Sequence, residues 1–492
     1  MIASDVDDRA FRADGKGTRQ EQGAKDHRKL SNSEVAAKVA LKAKEATGWY
    51  DSRLSKERLR TLEYFNGTLP RKAHMGSSSY VSTDVYDAVQ MMKAQVLEVF
   101  AGGDEIAQFD PDQDMHIGDC KAATAYCRFV IFRQNEGFRL FNNVIQDGLL
   151  ARAGVAKVYW DERSAYVDEE FSSKSHQEAM ALAAQEDVEE FEAEEQEDGT
   201  FKGALLRKAD RSQVAIDSIA PEEFLIEPRA VAIENAGYVA HRSLKTKDEL
   251  KRMGFDPVLV DRVHYDDARG LDLSPEVLAR NAPVETVQAL QNPIQPEVEK
   301  IMLYEEYVRM QIDSVKGVRL YKILRADATI FDIQEVEKTP FVVFIPLPSP
   351  HIFYGENFAA RVIPYQNART VLIRSVLDHA SITTNPRWAV VKGGLLNPRE
   401  MIDNRLGGIV NVARPDSVAA LQVPNLNPFI FELTKMLQEN KEQSTGISSL
   451  SQGLNKDAIS KQNSAGLVDN LVQLSSQRQK IVARHFAYDF FV

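Results

Sequence analysis

Cysteine is almost missing from this chain: 492 residues contain two, Cys120 and Cys127. That excludes a disulfide framework, and no CxxC spacing offers a redox pair or a zinc site. The two thiols lie seven residues apart in one apolar helical pattern. They read as small core hydrophobes in a reducing compartment. Long hydrophobic runs are missing too. No stretch is long enough to cross a bilayer as a helix, and the N-terminal MIASDVDDRAFRADGKG has no apolar segment of the secretory kind.

Catalytic signatures are equally absent. The chain has no GxxxxGK[ST] phosphate loop, no HExxH and no GxSxG elbow. Its nine histidines, among them His74, His116, His241, His351 and His379, are scattered without ligand spacing. Asp and Glu are so abundant that a two-carboxylate metal site has no distinctive pattern here. No cofactor is indicated, and the sequence reads as that of a non-enzyme. The formal net charge of -12 argues against a protein that grips nucleic acid over its whole surface. It is compatible with a conduit, because dense phosphate contacts would hold DNA still, whereas a lumen of mixed or acidic charge lets it slide.

What is present is an ordinary globular composition, 43% hydrophobic and 27% charged, in a chain long enough for roughly two to four domains. Residues 1–31 are polar, without apolar periodicity, and read as a flexible arm. A free tail and an arm that binds a neighbouring subunit or scaffold both fit it. Asn32–Tyr64 has a helical pattern, and a Gly/Ser-rich loop, MGSSSYVS, follows. Thr83 or Asp84 can cap the next helix, whose Val85, Val89, Met92, Val96 and Phe100 recur at helical spacing as core. Lys121–Arg152 is helical with a break at Glu136-Gly137, and VAKVYWDERSAYV reads as a β-hairpin. Residues 169–199 form the most acidic stretch; its first half suits a helix, and its second half reads as a charge block projecting into solvent. Strands return at QVAIDSIAP and EEFLIEP, and a short helix at LKTKDELKRMG. Residues 266–299 look like a long surface connection, and 300–344 like an antiparallel meander.

The most organised stretch runs from Pro346 to Ala465. PLPSPHIFYGENF opens it with extended, helix-excluding prolines. A helical pattern from Glu356 ends at Asn385-Pro386, and a compact segment of short apolar runs and glycine turns follows, with WAVV and GGIVNV as candidate strands. Pro428 starts a second helix that Gly446 can cap. A polar loop, SSLSQGLNKDAISKQNSA, leads into a third helical pattern.

Several pieces in this order resemble the portal (head-to-tail connector) proteins of tailed bacteriophages, in particular short-tailed phages. They are STDV and FAGGDEI within Ser82–Ile106, GVAKVYWDE (Gly154–Glu162), FVVFIPLPSPHIFYGENFA (Phe341–Ala359), NPRWAV (Asn385–Val390), DNRLGGIVNV (Asp403–Val412) and STGISSLSQGLN (Ser444–Asn455). Pro364, which falls within the first long helical pattern, departs from the family and leaves the start of that helix open: a kink or a first turn.

The resemblance implies an α+β portal-like fold. A mixed α/β wing would span residues 32–355, with stem helices at 356–382 and 427–446. A small β-containing clip would lie at 383–426, a tunnel loop at 447–463, and a wing helix from 464 toward a crown that is expected to be missing beyond 492. By the same resemblance, Ser451, Gln452, Asn455, Lys456 and Lys461 would face DNA from the tunnel loop, and Lys435, Glu439 and Lys441 would line the stem. Arg387, Arg399, Arg405 and Arg414 would serve partner docking on the clip. Family partners are a ring of about twelve copies, double-stranded DNA in the channel, terminase, tail adaptor proteins, and capsid and scaffold proteins. The place would be the virion's capsid vertex, with host cytoplasm during assembly. Two other readings stay open: a virion structural or scaffolding protein that forms no ring, and a DNA-processing enzyme with an unrecognised carboxylate metal site.

Overall fold

A computed structural model of the chain describes residues 29–71, 76–101, 109, 117–162, 164–185, 187–196, 199–263, 274–282, 300–313, 317–384, 387–397, 399–402, 409–421, 423–447 and 477–491. Helix α1 (Asn32–Trp49) starts with a capping box, in which the Ser31 hydroxyl and the Glu34 carboxylate exchange hydrogen bonds with each other's backbone N–H. It continues through a π-helical turn (Tyr50–Leu54) into α2 (Ser55–Phe65). In α3 (Asp84–Ala101) the stripe Val85, Val89, Met92, Val96 and Phe100 is buried, as its spacing predicts. Next come α4 (Ile117–Arg128), a π-helical segment (Phe129–Gln134) and α5 (Gly137–Ala151), broken at Glu136, which has φ 49°. Cys120 is buried and Cys127 half-buried, both unbridged.

Strands β1 (Gly154–Asp161) and β2 (Ser164–Lys174) follow each other closely but do not pair, which corrects the hairpin expected at VAKVYWDERSAYV. Val155 and Ala156 of β1 are both buried, so this strand needs cover on both faces and takes partners from elsewhere in the chain. A Cβ on Gly154 would lie 1.9 Å from the Val144 carbonyl oxygen, so only glycine lets β1 begin this close to α5. Strand β2 instead opens a separate unit with α6 (His176–Ala183), β3 (Val188–Glu195) and β4 (Phe201–Asp210), in the order β2-β4-β3. The acidic run VEEFEAEE is thus a strand and not a loose charge block. Its Phe191 stacks on Phe171 at 5.3 Å, within a small core of Phe171, Ala179 and Leu205.

The remaining strands are β5 (Gln213–Ile219), β6 (Phe224–Ile226) and β7 (Tyr238–Thr246), followed by helices α7 (Lys247–Arg252), α8 (Pro257–Arg262) and α9 (Pro275–Asn281). Then come β8 (Lys300–Met310), β9 (Arg319–Ala326), β10 (Thr329–Glu335) and β11 (Phe341–Phe344). Strands β8, β9 and β10 form the expected meander in a five-stranded sheet, β10-β9-β8-β7-β6, whereas β11 leaves it to pair with β1 in the sheet β11-β1-β5. Helix α9 corrects the reading of 266–299 as surface connection throughout: its Glu276 is buried and accepts a hydrogen bond from the Tyr50 hydroxyl at 2.7 Å.

Beyond β11 the chain forms α10 (Phe358–Thr384), β12 (Trp388–Val390), α11 (Arg399–Ile402), β13 (Val418–Ala420), α12 (Phe429–Thr445) and α13 (Gln477–Phe491). Pro364 is the seventh residue of α10, past its first turn, and the helix continues through it.

Two large cores hold the body together. One lies between α1 and the five-stranded sheet, with Tyr238, Val239 and Ile323 at its centre. The other joins α3, α5, β11, α10 and α13 around Phe486, whose ring lies 4.6–5.3 Å from those of Phe490, Phe100, Phe344 and Phe141. Buried Arg58 and Glu222 carry charge into the interior, and Arg280 meets Glu222 from the surface. Arg58 donates to the Ala151 and Pro221 carbonyls at 3.1 and 2.9 Å, and Arg280 grips both Glu222 oxygens at 2.8 and 2.6 Å. Close by, burial pushes the Asp147 carboxyl up to about 7; Arg280 and Arg58 oppose that rise and Glu222 adds to it.

Phe486→Ala is expected to cost about 3–5 kcal/mol, read from urea unfolding, because the cavity opens among four other rings. Asp147 has a raised pKa, so its stabilising contribution is complete below the ordinary carboxylate range and is lost as pH rises through 7. Melting curves at pH 6 and pH 8 should therefore show a smaller loss at pH 8 for Asp147→Asn than for the wild type.

Candidate functional site

Helices α10 and α12 pack against each other, and both are fastened to the body through one carboxylate. Asp84, the first residue of α3, is 1% exposed. Its Oδ1 accepts from Lys441 Nζ of α12 at 2.6 Å and from Arg369 Nη1 of α10 at 2.9 Å, and its Oδ2 accepts from the Ser82 hydroxyl at 2.6 Å. Burial by itself would raise the Asp84 carboxyl. The bonds from Lys441 and Ser82, with the charges of Lys441 and Arg369, outweigh it and hold the group below the ordinary carboxylate range. Arg369 also reaches Gln438 Oε1 at 3.2 Å, which ties the two helices to each other.

The far end of α12 is closed by α13. Gly446 adopts φ 74° as the C-cap, as the sequence suggests. Arg478 Nη1 donates to the carbonyls of Gln443 and Ser444 at 2.8 and 3.0 Å, which are otherwise unpaired at a helix end and carry its negative dipole. Gln479 Nε2 donates to the Gly446 carbonyl at 3.0 Å. The chain therefore leaves at 447 and returns at 477 within hydrogen-bonding distance of its departure.

The insert between α10 and α12 has a similar neck, where His379 Nε2 meets the Pro424 carbonyl at 2.7 Å. Within it β12 and β13 pair antiparallel, Trp388 opposite Ala420. WAVV thus supplies a strand, but its partner is Val418–Ala420 and not GGIVNV; Val412 only bridges to Leu395. Glu400 staples the insert internally, accepting from the Asn411 backbone N–H at 2.8 Å, and this bond comes first among those that lower its pKa. The insert has almost no interior of its own. Leu396 is 73% exposed, Ile409 82% and Trp388 50%.

The residues singled out from the sequence fall in three groups. Lys435 and Glu439 lie on the exposed side of α12, without ion pairs among the described residues. Lys441 does not join them: its side chain is 12% exposed and turned into the pair with Asp84, a position that suits a fastening rather than a free cation. Arg387, Arg399 and Arg414 are exposed on the insert with no ion pair among the described residues. Arg405 and the loop residues Ser451, Gln452, Asn455, Lys456 and Lys461 lie outside the described residues. Sequence reading missed Asp84 and Arg369 as a joint. The only local sign is an acidic residue opening an apolar stripe, and its partners are 285 and 357 positions away.

Among the described residues there is no group of three or more His, Cys, Asp or Glu placed to hold a metal ion, and no helix long and apolar enough to cross a membrane. The family model described as "Phage SU10 portal protein" matches residues 35–492, nearly the whole chain. The chain belongs to this portal family. No curated protein matches it. As a portal it takes the ring position at the capsid vertex, the head-to-tail connection through which phage DNA is packaged. The family is structural, and its ring meets capsid, terminase and tail components in general.

In the portal the α10–α12 pair should depend on Asp84. Asp84→Asn leaves Lys441 and Arg369 facing a neutral group, and is expected to cost about 3 kcal/mol in urea unfolding. Because the Asp84 pKa is lowered, this contribution is present above the ordinary carboxylate range and disappears as pH falls through the shifted value. The gap between wild type and variant should therefore narrow in acid.

Proposed function

We propose that this portal chain closes a ring of about twelve copies in which α10 and α12 are the stem, the insert at 383–426 is the clip, and residues 447–463 reach the channel. The observation that carries this reading is where apolar surface is left bare. Of the 35 exposed large hydrophobic residues among those described, 14 fall between Val371 and Met436. Apolar exposure concentrated in this way in one part of the chain calls for cover. A two-stranded clip sheet is marginal alone and gains stability from neighbouring copies. Head-to-tail contacts whose rotation closes supply that cover to every copy alike.

In that ring Lys435 and Glu439 put mixed charge on the stem, and Arg387, Arg399, Arg405 and Arg414 offer the clip to acidic groups of terminase or tail adaptor proteins. Ser451, Gln452, Asn455, Lys456 and Lys461 meet double-stranded DNA from the tunnel loop. Function here is geometric, without a catalytic residue: a lumen, loops that touch DNA, and a docking face. The ring assembles with capsid and scaffold proteins in the host cytoplasm before it becomes part of the virion.

Native mass spectrometry with negative-stain averaging tests the ring. The wild type should give a closed ring near twelve copies; a stable two-fold dimer or tetramer would refute the reading. Trp388→Ser combined with Ile409→Ser should shift the population toward monomer with the far-UV circular dichroism unchanged, since both side chains are already exposed within the chain. Lys456→Ala with Lys461→Ala should keep the ring and lower the DNA packaged per particle.

A further inference from the structure

Beyond Asp84, one side of the stem helix α10 carries a polar row at four-residue spacing: Gln366, Thr370, Arg374 and Asp378. Each of the four bonds to backbone of the loop that joins α2 to α3. Gln366 Oε1 accepts from the Val85 N–H at 2.9 Å, and its Nε2 donates to the Tyr64 and Leu69 carbonyls at 3.1 and 3.3 Å. Thr370 Oγ1 accepts from the Ser82 N–H at 3.1 Å. Arg374 uses three nitrogens, on the carbonyls of Tyr80 at 2.6 Å, Pro70 at 2.7 Å and Arg71 at 3.0 Å. Asp378 Oδ1 accepts from the Ser78 N–H at 2.6 Å.

These contacts run in order. Residues 69–71 and 78–85 lie as two legs along α10, over about 18 Å of helix between 366 and 378. Gly76 begins the second leg at φ 90°, a backbone conformation that favours glycine. Gln366 and Thr370 are fully buried under the loop. A loop that merely covered a helix would bring apolar side chains to it. This one instead presents its main-chain donors and acceptors to a matching polar row, and burial makes each unmet partner costly.

We propose that residues 69–71 and 76–85 form a strap that fixes the clip-ward half of α10 to the wing, with Arg374 as its positioning residue. It rests on the reading of α10 as a stem helix that carries the clip. More than half of residues 371–384 are exposed, and Arg374 and Asp378 bond to the strap while His379 meets the Pro424 carbonyl at the neck of the insert. The strap therefore sets the angle at which the clip is held, and Arg374 bridges both of its legs at once.

Hydrogen–deuterium exchange on the full-length protein tests this, with negative-stain images taken of the same samples. Thr370→Val keeps the side chain's volume but loses the acceptor, and should speed exchange in 76–85 about tenfold, the factor that one lost hydrogen bond implies. Thr370→Ser restores the acceptor and should match the wild type. Arg374→Gln, at a half-exposed position where folding is not at risk, should speed exchange in both 76–85 and 371–384, with α1 and β7–β9 unchanged. The strap is overturned if wild-type 76–85 exchanges like an unfolded chain, if Val and Ser at 370 behave alike, or if Arg374→Gln leaves 371–384 untouched. Rings without strap protection would remove the strap and leave the portal reading intact. Protection without rings would do the reverse.

Discussion

A carboxylate that is 1% exposed holds the two halves of this chain together. Asp84 is at the start of a body helix, and the cations it collects sit on α10 and α12. Two positive charges on one acceptor satisfy the desolvation of a buried anion, and they also fix a geometry: neither stem helix can slide without leaving an ion unpaired in a low-dielectric place. The aromatic core around Phe486 then brings the returning helix α13 onto the same body helix, through Phe100. The α10–α12 pair is thus bound to the body by charge, and the helix that follows it by rings.

Periodicity made the helical part of this arrangement legible in the sequence. The stripe from Val85 to Phe100 is buried as its spacing implied, and the second stem helix ends at Gly446 because glycine takes the left-handed cap readily. Strand pairing was less legible. Short apolar runs say that a strand exists but not which edge it joins, so β1 and β2 were taken for a hairpin when each belongs to a different sheet. The acidic run in β3 hid its strand because charge dominates the pattern, although Val188 and Phe191 supply an inward face. The candidate site divided along the same line. The resemblance groups Lys435, Glu439 and Lys441 together, and the inward turn of Lys441, which depends on a partner 357 residues away, is not legible in it.

Charge in this protein is handled by position and not by amount. The net of -12 coexists with buried cations at Arg58 and Arg325, each held by carbonyls, carboxylates or aromatic faces. Surface charge is gathered on the β2-β4-β3 unit, which has its own small core. Exposed apolar side chains are instead frequent among the described residues between Val371 and Met436. In the proposed ring, a surface divided in this way would separate the places where copies adhere from the places where they repel, which favours one mode of association over many.

The bonds that close the chain at 446 and 479 also bear on how the channel segment can change over time. Closing a loop costs entropy that rises only with the logarithm of its length. Here the closure is fixed by Arg478 and Gln479 on main-chain carbonyls, contacts that read no side chain of the excursion. The neck therefore depends on the carbonyls of Gln443, Ser444 and Gly446 and on the side chains of Arg478 and Gln479. The segment proposed to meet DNA is thus spanned by a neck whose bonds do not depend on the identity of the residues it encloses, which makes it a place for an engineer to insert a probe.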